Sequence, residues 1–178
     1  MKFRRITIWG NSGSGKSTLA EVTGRTLRLP VFHLDLIAWA PGWRFRDERD
    51  FNHDQRAWLA QPHWIIEGVG GWSGLQERFA RADLIVHLDT PISLCQERAT
   101  RRIAADNLVK NPFMAAGCRY GEVVDRQAEV IRHFATKVRS DIEAALVTNF
   151  SSKPQLRLDG SRSIDELCRQ LVTAVTDS

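Results

Sequence analysis

A glycine-rich segment near the N-terminus, GNSGSGKST at residues 10–18, leaves this chain few choices of fold. Gly10, Gly15, Lys16 and Ser17 match the pattern G-x-x-x-x-G-K-[ST], with a strand-like run before it and a helix-like run after it. Glycines let successive backbone N–H groups converge on an anion without Cβ clashes, and the following helix points its positive end at the same place. The segment therefore predicts a strand, a phosphate-binding loop and a helix, in that order.

The residue types of this loop match the chemistry of a nucleoside triphosphate with Mg²⁺. Lys16 supplies a mobile positive charge for the β- and γ-phosphates. The Ser17 hydroxyl is a hard oxygen ligand of the kind that Mg²⁺ prefers, and Thr18 can assist near the α-phosphate. We therefore predict ATP and Mg²⁺ as ligands, with Ser17 on the metal. The predicted binding residues of the loop are Gly10, Asn11, Ser12, Gly13, Ser14, Gly15, Lys16, Ser17 and Thr18. A flexible turn that carries a stray lysine is the alternative.

Composition and charge exclude several classes of protein. The 178 residues, 43% of them hydrophobic and 26% charged, predict a single domain over residues 1–178 with a sizeable core. No apolar run approaches the roughly 20 residues that cross a bilayer, and the basic N-terminus leads into glycines rather than a signal peptide. We therefore expect a cytoplasmic protein without a membrane partner. The net charge of +4 fits a nucleic-acid partner, a phosphate pocket or an arginine-rich surface.

Strand-like and helix-like segments alternate along the whole chain. The predicted strands read FRRITIW, LPVFHLD, HWIIEGV, DLIVHLD and PQLRLD. Asp47 is expected to cap a helix, and a long helix is expected from Glu122 to about Phe150. The apolar stripe of that long helix is predicted to consist of Val123, Val130, Phe134, Val138, Ile142 and Ala145. The alternation predicts an α/β fold with a parallel sheet, covered by helices on both faces, that binds ligands at the carboxyl ends of its strands.

Two acidic residues are predicted at those strand ends. Asp35 is predicted at the end of the second strand and Glu67 at the end of the third. A carboxylate at either place can order Mg²⁺-bound water or accept a proton from an attacking hydroxyl, so both are candidate catalytic residues. A solvated acid at a strand end is the alternative.

A basic helix follows the fourth strand. Arg98, Arg101 and Arg102 all lie on it, and Arg98 and Arg102 share a face because they are four residues apart. Repulsion between them would be relieved by a bound polyphosphate, although an exposed basic helix without a ligand explains the pattern equally well. The aperiodic stretch that follows, NLVKNPFMAAGCRYG, is predicted to be a mobile loop.

The order of motifs resembles the adenylate-kinase-like small kinases over nearly the whole chain. The matching segments are GNSGSGKST, HLD, IIEG, the R-x-x-x-R helix and LDGSRSIDEL. The segment LDLIAWAPGW, with Trp39 and Trp43, resembles the subgroup of DNA topology modulation proteins and adenylate-kinase-related kinases. The resemblance implies a three-layer P-loop NTPase sandwich with a five-stranded parallel sheet in the order 2-3-1-4-5. It also implies an acceptor-binding segment at 36–62 and a short lid at 107–122.

The resemblance further assigns roles to single residues. It implies that Arg98 and Arg102 reach the triphosphate from the base of the lid. Arg119, which lies in the aperiodic stretch itself, is a candidate third contributor. The turn Asp159–Ser163 would lie near the adenine. Adenylate kinases carry D-G-x-P-R where this chain has EGVGG, so the arginine that grips an acceptor phosphate is missing, and Gly70 and Gly71 could admit an acceptor instead.

Three further sets of residues have open roles. Arg44 and Arg46 either supply an anion site for the acceptor or lie on the surface. Trp39, Trp43 and Trp72 either line an acceptor pocket or serve packing, while Trp9 is expected in the core. His87 is expected to be buried and hydrogen-bonded.

The leading hypothesis is an ATP- and Mg²⁺-dependent kinase whose acceptor is a small molecule such as a nucleotide or nucleoside. The alternative is a nucleotide-binding regulatory protein that acts on DNA or a protein partner with little kinase turnover. The chain has no helix-turn-helix, zinc-finger or long basic arm to favour the alternative. It also lacks an N-K-x-D segment after the fourth strand, which argues against a GTPase switch.

Overall fold

A computed structural model describes residues 1–105 and 111–177. The strands are β1 (Arg5–Trp9), β2 (Val31–His33), β3 (Trp39–Ala40), β4 (Arg44–Phe45), β5 (Trp64–Glu67), β6 (Leu84–Asp89) and β7 (Gln155–Asp159). The α-helices are α1 (Lys16–Leu27), α2 (Asp35–Ala38), α3 (Glu48–Leu59), α4 (Trp72–Arg81), α5 (Ile92–Ala105), α6 (Val124–His133), α7 (Arg139–Asn149) and α8 (Ile164–Thr176). Within the described residues, no helix has the length and apolar character needed to cross a membrane.

The main sheet contains five parallel strands in the order β2-β5-β1-β6-β7. Counted among these five strands alone, the order is the expected 2-3-1-4-5. The labels differ because the hairpin β3–β4 lies between the second and third of them in the chain. The phosphate-binding loop follows the central strand β1, so it sits in the middle of the carboxyl edge of the sheet.

Helices cover both faces of the sheet, as expected for a three-layer α/β sandwich. Ile6 and Ile8 of β1 pack with α1 and α8 on one face. Trp9, which is 1% exposed, faces the opposite side and packs with α3, α4 and α7, so its expected place in the core is confirmed. Alternate residues of one strand thus contribute to two cores, which is how a doubly covered parallel sheet buries its strands.

The predicted long helix is built from several helical segments. A 3-10 turn (Tyr120–Val123) leads into α6, a π-helical segment (Phe134–Val138) follows, and α7 ends at Asn149. The predicted apolar stripe divides between two surroundings, because Ile142 is fully buried in the core whereas Val130 is 53% exposed. The π-helical segment shifts the helix face between these two parts. Asp47 caps α3 as expected, since its side chain accepts a hydrogen bond from Arg49 N at 2.8 Å.

Candidate active site

A cleft of about 890 Å³ opens at the carboxyl edge of the sheet. One wall is the loop of residues 10–18. A second wall comes from α2 and the β3–β4 hairpin, and a third from α6 and the π-helical segment. Arg98, Arg102 and Asp35 all line this cleft, so predicted functional residues that are distant from the loop in sequence face the same space as the loop.

The phosphate-binding loop is held tightly against α5. A Cβ atom on Gly13 would lie 2.3 Å from the carbonyl oxygen of Cys95, and Gly13 adopts a φ of +79°, so this position requires glycine. Ser14 O accepts hydrogen bonds from Thr90 Oγ1 at 3.1 Å and from Arg98 Nη1 at 3.0 Å. These contacts fix the backbone of the loop next to α5.

Lys16 is the first residue of α1, where the positive end of the helix lies. Its Nζ donates to the carbonyl oxygen of Asn11 at 3.3 Å, so the ammonium group bends back over the loop. Asn11 is itself anchored, because its Nδ2 donates to Ile131 O in α6 at 2.9 Å. The lysine thus lies across the concave side of the loop, where the charge of a bound triphosphate would be.

Glu67 lies directly behind Ser17. Ser17 Oγ donates to Glu67 Oε1 at 3.0 Å, and His33 Nδ1 lies 2.8 Å from the same oxygen. Glu67 is 2% exposed, and its second oxygen, Oε2, is buried without a hydrogen-bond partner among the described residues. A buried, unpaired carboxylate oxygen next to a P-loop serine is the kind of group that a metal-bound water satisfies, so Ser17 and Glu67 fit a Mg²⁺ site.

The charges around Glu67 keep it ionised. Burial by itself raises the pKa of this carboxyl, but the hydrogen bond from His33 and the positive charge of Lys16 outweigh burial, and the pKa lies below its ordinary value. Burial also lowers the pKa of His33. The hydrogen bonds from His33 to Glu67 and Glu21 outweigh that effect and raise the pKa of His33 overall.

Asp35 begins helix α2, whereas the sequence predicted it at the end of the second strand, which in the structure ends at His33. Its Oδ1 accepts a hydrogen bond from Trp39 Nε1 at 3.3 Å. Burial raises the pKa of the Asp35 carboxyl, and the charge of Lys16 offsets this only in part. A carboxyl group with a raised pKa in a cleft is suited to accept a proton from a substrate hydroxyl.

The two arginines predicted to share a face both contact the phosphate-binding loop. In addition to the bond from Arg98 to Ser14, Arg102 Nη2 donates to Ser12 Oγ at 3.1 Å. Arg101 points away and pairs with Glu97 at 2.6 Å on the helix surface.

The β3–β4 hairpin forms an aromatic wall of the cleft. Trp39, Trp43 and Phe45 line it, and the Trp39 ring meets each of the other two edge to face at a centroid distance of 5.5 Å. Gly70 lines the cleft nearby. A Cβ atom at Gly70 would lie 2.5 Å from the Phe51 ring, and its φ is +70°, so the backbone rather than a side chain borders the cleft here.

Several residues with open roles lie elsewhere. Arg46 does not line the cleft, because its Nη1 is bound to Asp54 and to the carbonyl oxygen of Ile37. Arg44, Arg119 and Trp72 are exposed and also absent from the cleft lining. The surface interpretation of Arg44 and Arg46 therefore holds in this structure.

The predicted lid, 107–122, lies partly outside the described residues, which resume at Asn111. The described part packs on the β3–β4 hairpin. Gly42 N donates to Gly117 O at 3.2 Å, and Trp43 Nε1 donates to Arg119 O at 2.7 Å. Residues 111–122 and the hairpin therefore enclose the cleft from the same side.

The sequence did not single out three residues at the site. His33 contacts Glu67, Gln127 Nε2 donates to Ser12 Oγ at 2.9 Å, and Arg126 lines the cleft. Only His33 had a local signal, since it lies two residues before Asp35 in the segment HLD. Gln127 and Arg126 belong to a helix whose approach to the loop depends on long-range packing.

The turn Asp159–Ser163 meets the phosphate-binding loop through β6. Gly160 N donates to Asp89 O at 2.7 Å, and Gly160 packs against Thr90, the residue that bonds Ser14. A second cavity, of about 550 Å³, lies beside this turn at the ends of β6 and β7.

The sequence matches no protein-family model and no curated protein. Its fold, however, matches solved kinases along the whole chain. A shikimate kinase from Acinetobacter baumannii in complex with shikimate has a TM-score of 0.64 at 16% identity, covering 97% of this chain and 92% of that one. A deoxyadenosine kinase from M. mycoides with bound dATP has a TM-score of 0.61 at 11% identity, covering 97% and 99%.

An unliganded sugar kinase from Janibacter sp. HTCC2649 has a TM-score of 0.57 at 16% identity, covering 97% of this chain and 95% of that one. The three kinases differ in the acceptors that their names imply, so what they share with this chain is the scaffold. The chain therefore has the α/β fold of the P-loop small-molecule kinases.

Proposed function

We propose that this chain is a single-domain kinase that uses ATP and Mg²⁺ to phosphorylate a hydroxyl group of a small molecule. The observation that carries the proposal is the cleft in which a phosphate-binding loop faces a carboxylate, Asp35, and an aromatic wall. Residues 36–62 are the acceptor-binding segment and 107–122 the lid. A cytoplasmic location and membership of the DNA topology modulation subgroup belong to the same proposal, the latter because of the segment LDLIAWAPGW.

Each residue has one task in this reaction. Lys16 and the backbone N–H groups of the loop bind the β- and γ-phosphates, and Arg98 and Arg102 neutralise the charge from the other side. Asp35 accepts the proton of the acceptor hydroxyl. That hydroxyl oxygen forms a bond to the γ-phosphorus, the bond from phosphorus to the β–γ bridging oxygen breaks, and ADP leaves. Mg²⁺, held by Ser17 with Glu67 behind it, offsets phosphate charge when bound.

The cleft supports an acceptor that combines a ring with a hydroxyl group. The rings of Trp39 and Trp43 offer stacking surfaces. Arg126 lines the same cleft, and its side chain makes no ion pair or hydrogen bond within residues 1–105 and 111–177, so it can meet an anionic substituent. Nucleosides and nucleotides satisfy both features and are the first acceptors to test.

The test is an acceptor screen with labelled ATP and Mg²⁺ that includes nucleosides, nucleoside monophosphates and sugars. We expect label to move to one acceptor class. Glu67→Gln should lower turnover far more than ATP affinity, and Asp35→Asn should abolish acceptor-dependent turnover while ATP still binds. Glu166→Gln and Asp165→Asn, both on α8 and away from the cleft, are the matched controls. DNA binding that weakens with salt, without acceptor-dependent turnover, would favour the regulatory protein instead.

A further inference from the structure

His33 is buried at the carboxyl end of β2, where it is the register partner of Glu67 on β5. Both nitrogens of its ring face carboxylate oxygens. Nδ1 lies 2.8 Å from Glu67 Oε1, and Nε2 lies 3.0 Å from Glu21 Oε1 on α1. The face of the ring stacks on Phe113, at a centroid distance of 4.2 Å and an interplanar angle of 29°.

We propose that His33 is a positioning residue, which holds the Glu67 carboxylate behind Ser17 and makes its orientation depend on the 111–122 segment through Phe113. The proposal rests on the proposed function, because it assigns Glu67 to the Mg²⁺·triphosphate. His33 does not line the cleft, so it acts through Glu67 and not on the substrates.

The first step of the argument concerns the freedom of Glu67. A carboxylate held at one oxygen by a single hydroxyl can turn about its χ angles. Here Oε1 is held from two directions, by Ser17 and by His33, which leaves Oε2 in a fixed place. Ser17 is itself the expected metal ligand, so His33 is the anchor of Glu67 that is independent of the metal.

The second step concerns the link to the predicted lid. Phe113 is tied to its own segment, because its backbone N donates to Asn111 Oδ1 at 2.9 Å, and Asn111 Nδ2 donates to Tyr120 Oη at 3.1 Å. Phe113 also lines the cleft. A displacement of this segment removes the stacking partner of His33 and opens its ring to water, which weakens the hydrogen bond to Glu67. The position of the segment and the orientation of the carboxylate are therefore coupled.

The experiment compares His33→Leu, His33→Gln and Phe113→Leu with the wild-type protein. The control is His63→Gln, because His63 is an exposed histidine in the loop before β5. We measure kcat for Mg²⁺-dependent ATP turnover. The assay follows phosphorylation of the acceptor, or ADP release when no acceptor is present. We also measure the affinity for an ATP analogue with and without Mg²⁺, and the melting temperature.

We expect His33→Leu to lower kcat by about 10-fold or more, as the loss of an outer-shell metal partner does. It should also reduce the gain in nucleotide affinity that Mg²⁺ brings, with Mg²⁺-free affinity unchanged. His33→Gln keeps an N–H donor and should recover part of the loss. Phe113→Leu should lower kcat by a smaller factor, and the control should behave as wild type.

If the wild-type protein turns over ATP and His33→Leu has the same kcat, the inference is overturned and the proposed function remains intact. A loss that merely follows a lower melting temperature, without recovery in His33→Gln, overturns it as well. Absence of turnover in the wild-type protein overturns the proposed function. In that case the inference is decided by the gain in nucleotide affinity that Mg²⁺ brings. His33→Leu must still reduce this gain, and an unchanged gain overturns the inference.

Discussion

The guanidinium group of Arg102 lies over the ring of Tyr120, with Cζ 4.1 Å from the ring centroid. The same arginine donates from Nη2 to Ser12 Oγ in the phosphate-binding loop. Tyr120 in turn lies 5.4 Å, centroid to centroid, from Trp43 of the aromatic wall. One arginine therefore joins the loop that would hold a triphosphate to the segment that borders the acceptor side.

This contact predicts how the 111–122 segment responds to nucleotide. An ATP analogue with Mg²⁺ should slow trypsin cleavage after the exposed Arg119. Mass spectrometry of the fragments measures the rate of this cleavage. Arg102→Ala should lose most of this protection, because it removes both the loop contact and the cation–π contact. Arg101→Ala is the control, since Arg101 points to solvent and pairs with Glu97. Equal protection in the two variants would contradict the coupling.

Lys16→Ala is expected to weaken ATP binding by at least about 10-fold, because a charge-assisted hydrogen bond to phosphate contributes roughly 1.5–3 kcal/mol. The melting temperature should stay near the wild-type value, since the bond from Lys16 to Asn11 O is long and only partly buried. Isothermal titration calorimetry and thermal unfolding measure the two effects, with the exposed Lys137→Ala as the control. Unchanged ATP affinity in a folded Lys16→Ala protein would refute the triphosphate assignment of the loop.

Arg78→Met should destabilise the fold by about 3 kcal/mol, because a buried hydrogen-bond acceptor left without its donor costs roughly 1–3 kcal/mol. Arg78 is fully buried, and its guanidinium donates to Thr7 Oγ1, to Gln55 Oε1 and to the carbonyl oxygens of Gly68 and Val69. Methionine fills similar space but leaves these acceptors unpaired.

Urea denaturation measures this loss of stability. Arg81→Met is the matched control, because Arg81 lies on the same helix, is 52% exposed and approaches Glu77 only at 4.0 Å. The prediction fails if the two variants unfold at the same urea concentration.

His87 is expected to make the fold less stable at acidic pH. It is buried and stacks on Trp9 at a centroid distance of 3.8 Å. The hydrogen bond expected for its ring is not found among the described residues, so stacking and burial decide its behaviour. Burial lowers the pKa of His87 to about 4, from an ordinary value of 6.5.

The sign of the effect follows from proton binding. Between pH 6.5 and 4 the unfolded chain binds a proton at His87 that the folded chain does not bind, so stability falls as pH falls through this window. Between pH 7 and pH 5 the loss amounts to about 2 kcal/mol. His33, whose pKa is raised, acts in the opposite direction.

Urea denaturation at both pH values, in wild type and in His87→Asn, isolates the contribution of His87. The variant should lose less stability than wild type on acidification, whereas His63→Gln should lose as much. An identical pH dependence in wild type and His87→Asn would show that the folded protein holds His87 with its ordinary proton affinity.

The sequence alone was sufficient to predict features whose residues are neighbours along the chain. The phosphate-binding loop needs glycines, a lysine and a serine at short, fixed spacing between a strand and a helix, so residues 10–18 were recognisable without a structure. The strand order could also be expected, because alternating strands and helices with a known resemblance allow few topologies. Arg98 and Arg102 were correctly predicted to share a helix face, because they are four residues apart on one helix.

Contacts between distant segments could not be predicted in this way. The β3–β4 hairpin escaped prediction because its strands are two residues long and are stabilised by the packing of Trp39 and Trp43. Arg46 had the charge for an anion site, but its partner Asp54 is set by how α3 packs.

The sequence by itself determined a parallel α/β sheet and predicted a phosphate-binding loop on it, because both follow from local patterns of glycine, charge and hydrophobicity. Only the tertiary structure decided that His33 holds Glu67 from the neighbouring strand and that Phe113 covers His33. The physical reason is that hydrogen bonds and ring contacts form within a few ångströms, and only the packing of the whole sheet brings residues 33, 67 and 113 that close.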